Sequence, residues 1–172
     1  MQHHTKDKGD IGLGCVMADL LKHDIQVALP VSEHLLFDLI AIHPRGDTLK
    51  LSVKYRTMNK MGCVCVTSKS FWNDRNGTHT RRHTVGDYDA VAIYCPDTDE
   101  CYYLRASELS PSATTLRITE PRNRQESRVN MARKFTGPDR LFQSAPVAQW
   151  IEQPASNRQA EGSIPSGGAA PS

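Results

Sequence analysis

Apolar and polar positions change rhythm early in this chain, from a helical period to the alternation of strands. Between residues 9 and 24, Ile11, Cys15, Ala18 and Leu21 recur at helical spacing, with Val16 and Leu20 widening the stripe, so a helix is predicted there. Asp10 in its expected first turn and Lys22 and His23 in its last suit the helix dipole. Gly9, Gly12 and Gly14 do not follow a strand, as a phosphate-binding loop would require, and fit close packing of the helix on a sheet instead. Residues 25–30 read as a first strand. Residues 35–43 and 48–55 flank a Pro-Arg-Gly-Asp connection and predict a hairpin. Further strands are expected at 63–68, 88–95, 101–105 and 115–118. The 88–95 and 101–105 runs pair across Pro96–Glu100, which leaves the second of them at an edge. Val129, Ala132 and Arg133 suggest one short helix, with Phe135 tucked into the core. The whole reads as an α/β domain.

The hairpin carries the charges that need explaining. If Pro44, Arg45 and Gly46 form a three-residue loop with Gly46 left-handed, His43 pairs with Asp47 and Asp38 with Ser52. Side chains alternate across a strand, so Lys50, Ser52 and Lys54 share a face, and Lys54 lies one diagonal step from Asp38. Burying such charges without partners is costly. Two readings fit the spacing. One is a half-exposed ion pair on an edge hairpin. The other is a metal-dependent phosphodiesterase site, in which Asp38 holds a hard cation through oxygen. Lys54 then steadies the nucleophile or the developing charge, and the backbone carbonyl of Val53 is a further metal ligand.

The order Asp38, hairpin, Lys54 resembles the PD-(D/E)XK nuclease superfamily. Neighbouring residues bring the match nearer to the endonucleases associated with group I introns. They are Lys8-Gly9-Asp10-Ile11-Gly12, Leu29-Pro30, Ser32-Glu33-His34, Phe37-Asp38-Leu39 and Val53-Lys54-Tyr55-Arg56. Asp87-Tyr88-Asp89-Ala90-Val91, Ile93 to Thr98 and Cys101-Tyr102-Tyr103 continue the series, so the resemblance spans about residues 8–135. It implies a restriction-endonuclease-like sandwich, a mixed central β-sheet flanked by helices. The implied function is Mg²⁺- or Mn²⁺-dependent hydrolysis of double-stranded DNA, with two sites brought together in a homodimer or higher homo-oligomer. Asp38, Lys54, Ser52 and Glu33 would be catalytic, with Asp38, Glu33 and the Val53 carbonyl on the metal. Two positions depart from the family pattern. Ser52 stands where Glu, Asp or Gln is usual, and Leu13 stands where the first helix of many relatives carries a glutamate. Glu33 supplies a substitute acid in this reading. The alternative is a DNA-binding protein of the same fold whose catalysis is weakened or lost.

Composition narrows the picture further. The 172 residues suit one domain with extensions. Mean hydropathy is -0.50, and no apolar run approaches the roughly 20 residues of a spanning helix. The N-terminus lacks the apolar segment of a secretory signal, so a cytoplasmic protein is expected. Five cysteines, an odd number without paired C-x-x-C spacing, fit a reducing compartment and argue against structural zinc. Net charge is only +2, yet cations cluster. The segment 69–83 carries Lys69, Arg75, Arg81 and Arg82 with Phe71 and Trp72 interleaved, and reads as a basic loop that displaces counterions from DNA, with Arg56 beside it. A second cluster, from Arg117 to Arg140, sets seven Arg or Lys against three acids, for a local +4.

Residues 1–7 are expected to be flexible, 8–135 to form the nuclease-like domain and 136–172 a disordered tail rich in Pro, Gly, Ser and Ala. Residues 147–153 and 162–165 back-translate to stretches like the D-arm and T-arm of a transfer RNA gene. From about residue 145 the reading frame is therefore expected to run into such a gene, which the genomic sequence decides.

Overall fold

The computed structural model describes residues 4–32, 34–75, 77–82, 86–120 and 129–143. Among these described residues one long helix, α1 (His4–Lys22), precedes nine strands. They are β1 (Gln26–Ala28), β2 (Leu39–Ile42), β3 (Thr48–Tyr55), β4 (Cys63–Thr67), β5 (Lys69–Asp74), β6 (Gly77–Arg82), β7 (Ala90–Cys95), β8 (Glu100–Arg105) and β9 (Ala113–Arg117).

The start and the phase of α1 both differ from the sequence expectation. The helix begins at His4, so residues 4–7 are helical and Asp10 falls beyond the first turn, whose acidic residue is Asp7. Lysines, which lose little rotamer freedom in a helix, extend it backwards. Its buried stripe is Gly12, Val16 and Leu20, with Leu13 and Met17 packed alongside, whereas Ile11, Ala18 and Leu21 face solvent. Gly12 explains the rotation. A Cβ there would lie 3.3 Å from the Cβ of Tyr55, so the missing side chain is what lets α1 approach β3.

Five strands form the main sheet in the order β1-β2-β3-β7-β8. All neighbours are antiparallel except β3 and β7, so the sheet is mixed and β8 lies at an edge. A parallel pair needs a long crossover. Here it carries β4, β5 and β6. On one face Val16 and Leu20 of α1 pack with Leu39, Leu51, Ala92 and Tyr103. On the other, Val64, Val66 and Leu116 of the antiparallel β4–β9 pair cover Val91, Ile93, Tyr102 and Leu104. Burial on both faces accounts for the nearly unbroken apolar run of β7. The expected mixed central sheet is thus covered by a helix on one face and, among the described residues, by a small antiparallel sheet on the other.

Two further differences concern the ends of the sequence-defined blocks. The basic segment expected as a loop is a hairpin of β5 and β6, paired only with each other. Thr78 and Thr80, together with Gly77 at φ +123°, supply strand and turn signals that the charges obscured. At the other end the packed body runs past residue 135. A 3-10 turn at Pro138–Leu141 buries Leu141 and Phe142 in the α1-side core. Arginines hold this segment by its carbonyls: Arg45 donates to Phe142 O at 3.1 Å, and Arg105 donates to the carbonyls of Arg140, Leu141 and Gln143. The expected tRNA-like tail lies outside the described residues. All five cysteines are free. Among the described residues, no helix is long and apolar enough to cross a membrane.

Candidate active site

Everything around Asp38 follows from where one ladder stops. His43 N–H donates to Asp47 O at 2.8 Å, Gly46 adopts φ +93°, and the β2–β3 register places Leu39 opposite Leu51. The three-residue loop is therefore the one the sequence implies, and Asp38 comes to stand beside Ser52. The β2–β3 register ends at the Leu39–Leu51 pair, while β7 accompanies β3 on to Tyr55. Beyond Leu51 one edge of β3 consequently lies open. The Asp38 carboxylate covers part of it: its Oδ2 accepts the Val53 N–H at 2.6 Å and the Ser52 hydroxyl at 3.2 Å. Arg56 N–H donates to Tyr94 O of β7, so the alternation of the strand turns the N–H and carbonyl of Val53 towards the open edge.

Helix α1 faces that edge and builds a groove with it. A cleft of about 320 Å³ is lined by Lys6, Gly9, Asp10, Leu13, Asp38 and Val53. Next to it, sharing Gly9 and Val53, a cleft of about 280 Å³ is lined by Lys8, Lys54, Tyr55 and Arg56. A third, more apolar recess shares Leu13 and Asp38 and is walled by Leu29, Leu35 and Phe37. The structure thus gathers Asp38, Ser52, Val53, Lys54 and Arg56 along one groove. Lys50, on the same face of β3, is tied elsewhere, its ammonium donating to Gly86 O at 2.8 Å.

Lys54 is half-buried. Desolvation pushes its ammonium below the ordinary 10.5, nearby Asp38 opposes the shift, and Arg56 adds to it. Among the described residues Lys54 makes no ion pair with Asp38; the two groups interact through space across the groove. A simple surface salt bridge therefore does not describe them. Ser52, 2% exposed, donates to Asp38 and acts as its tether.

The second carboxylate in the groove, Asp10, has no counterpart in the sequence reading, which assigned it to the helix dipole. A signal was present. Lys6, Gly9, Asp10 and Leu13 stand at i, i+3, i+4 and i+7, one helical face. It was masked by taking Ile11 and Cys15 as the inner stripe. Glu33 lies outside the described residues. Of the expected DNA contacts, Lys69 begins β5 and Arg75 sits exposed at the hairpin turn. Trp72, Arg81 and Arg82 pair in register with His79, Ser70 and Lys69. These residues belong to a sheet separate from the one that carries Asp38.

The donor set fits a hard divalent cation. Asp10 and Asp38 offer carboxylate oxygens, no thiol or imidazole lines the same cleft among the described residues, and Mg²⁺ keeps several waters when held by one or two carboxylates. Among the described residues no three His, Cys, Asp or Glu converge on one point, so a closed protein cage is not what this groove provides.

A helix laid over a mixed sheet, with an acid and an amine beside the open edge of a hairpin, is an arrangement of nucleases. The chain belongs to the PD-(D/E)XK endonuclease family, whose sequence profile matches residues 3–138. In fold it is similar to a bacterial homing endonuclease, I-Ssp6803I, with a TM-score of 0.64 and 21% sequence identity over 80% of this chain and 92% of that one. Comparison with curated proteins found no match.

Proposed function

We propose that the protein is a divalent-metal-dependent endonuclease that hydrolyses phosphodiester bonds of double-stranded DNA in the groove between α1 and β3. The observation that carries this is the convergence of Asp38, Asp10, the Val53 edge and Lys54 along one groove of a PD-(D/E)XK chain. Asp38, through the oxygen that Ser52 and Val53 leave free, would hold Mg²⁺ or Mn²⁺ together with Asp10 and the Val53 carbonyl. Asp10 stands one turn ahead of Leu13 and restores the acid that Leu13 lacks. When bound, the metal lowers the pKa of a coordinated water and offsets charge on the phosphate.

The remaining chemistry belongs to the chain. Lys54 holds its ammonium at the reacting phosphate and stabilises negative charge developing there. Ser52 and the Val53 N–H fix the Asp38 carboxylate so that it does not reorganise when substrate arrives. Leu29, Leu35 and Phe37 give the groove an apolar wall on one side. The β5–β6 hairpin, with Lys69, Trp72, Arg75, Arg81 and Arg82, serves as a DNA-contacting arm. Pairing of two chains would supply the second cut of a double-strand break, as mobility of an intron or similar element requires.

One observation favours a second reading. Asp38 Oδ2 is already committed to two donors, which is what a carboxylate retained only to seal the ladder would show. That protein would bind DNA without cutting it. Nicking of supercoiled plasmid with and without Mg²⁺ separates the two. The endonuclease reading expects metal-dependent nicking that Asp38→Ala, Lys54→Ala and Asp10→Asn each lower by orders of magnitude. Nicking untouched by all three substitutions would remove this site, and salt-dependent binding without nicking would establish the second reading.

A further inference from the structure

The cleft beyond Lys54, on the side away from Asp38, has its own chemistry. Lys8 from α1, Lys54 from β3 and Arg56 just past the end of β3 line its roughly 280 Å³, and no carboxylate does so among the described residues. Arg56 is half-buried, and among the described residues its guanidinium donates only to the neighbouring Tyr55 O at 2.9 Å, which leaves most of its five donors uncommitted there. Lys8 is exposed and has no partner among the described residues. Holding three cations around one small space is unfavourable unless an anion joins them. Gly9 and Val53 line this cleft and the carboxylate cleft alike, so an anion seated here abuts the position of a phosphate held near Asp38.

We propose that this cleft is a subsite for a single backbone phosphate, the one adjoining the scissile phosphate on the strand being cut, gripped by Lys8 from the helix and Arg56 from the residue that follows β3. The proposal rests on the nuclease reading for the word scissile, and the subsite itself does not depend on metal. Lys8 acquires a role that its exposure hides: it is a positioning residue that fixes the register of the strand before the metal acts. Lys54 lies between the two phosphates and serves both.

The test is the salt dependence of binding of the full chain to a short fluorescent DNA duplex in EDTA. Lys8→Gln, Arg56→Gln and the double variant are compared with Lys22→Gln at the far end of α1. Each phosphate neutralised contributes about 0.9 to the slope of log K against log salt. If both side chains hold one phosphate, the double variant loses about 0.9, one contact, while Lys22→Gln loses nothing. A loss of about 1.8 means two separate phosphates and overturns the shared subsite. An unchanged slope, or an equal loss in Lys22→Gln, overturns it as well. Plasmid nicking by the Asp38→Ala and Lys54→Ala variants is scored separately. Nicking that survives those two substitutions, alongside the expected slope, sinks the nuclease site and leaves the phosphate subsite standing. Nicking abolished with the slope unchanged does the reverse.

Discussion

At the residue scale Lys54 is the group whose environment works against its charge. Burial, then Arg56, lowers its folded pKa below 10.5, and Asp38 only partly opposes this. A base with a depressed folded pKa costs stability in full below that lowered value, and the cost disappears as the pH rises to the unfolded value. Lys54→Met should therefore raise Tm near pH 7, with the gap from wild type closing towards pH 10.5 in a pH series of thermal melts. Nicking should be lost in the same variant, the usual opposition of activity and stability. Asp38 separates its two duties by another comparison. An asparagine keeps an oxygen for the Val53 N–H, whereas an alanine leaves that donor unpaired, at about 1–3 kcal/mol. Urea titration should rank Asp38→Asn well above Asp38→Ala, with neither variant nicking plasmid. The Asp38–Ser52 juxtaposition was legible because Pro44 and Gly46 dictate the turn, and a turn dictates register. Asp10 was not, because several phases of α1 bury comparable apolar surface. Only the contact of Gly12 with Tyr55, invisible without the partner strand, selects among them.

Elements show where local signals suffice and where they fail. The meander from β1 to β3 and the β7–β8 pair stand close to where alternation and turn residues put them, since each strand's partner is its neighbour in sequence. The β5–β6 hairpin was obscured by its charges, and β4 finds β9 some fifty residues later, a pairing that periodicity does not encode. Helix α1 depends on close approach. Gly12→Leu would overpack the Tyr55 contact and cost about 1–3 kcal/mol, read as a lower Tm. It should also weaken nicking, because the same helix carries Asp10. The 3-10 turn Ala106–Glu108 anchors the C-terminal segment through Glu108, which lies 2.7 Å from Arg140 Nη2 and accepts the Arg105 N–H at 2.7 Å. Partial burial pushes the Glu108 carboxyl up, but Arg140 and the Arg105 N–H outweigh it and hold the group below 4.5. Its contribution is thus complete above pH 4.5 and lost as the pH falls through the lowered value. Glu108→Gln should be less stable than wild type at neutral pH in urea titration, by no more than about 1 kcal/mol for a pair that solvent still reaches, and converge with it in acid.

Across the whole molecule, two apolar clusters on opposite faces of one sheet make the body, and residues 138–142 complete the first of them. Composition pointed to a tail from residue 136. The burial of Leu141 and Phe142 shows that a short apolar pair without periodicity can still be core. Leu141→Ala should cost about 2–5 kcal/mol in urea unfolding, an effect no tail residue would have. The crossover from β3 to β7 has a further consequence. Among the described residues its hairpin, β5 with β6, forms no ladder with the five-stranded sheet that carries Asp38, so the proposed DNA-contacting arm and the proposed groove stand on separate hydrogen-bonded sheets. If the arm touches DNA as proposed, its sequence can change without breaking a single rung of the ladder that frames Asp38.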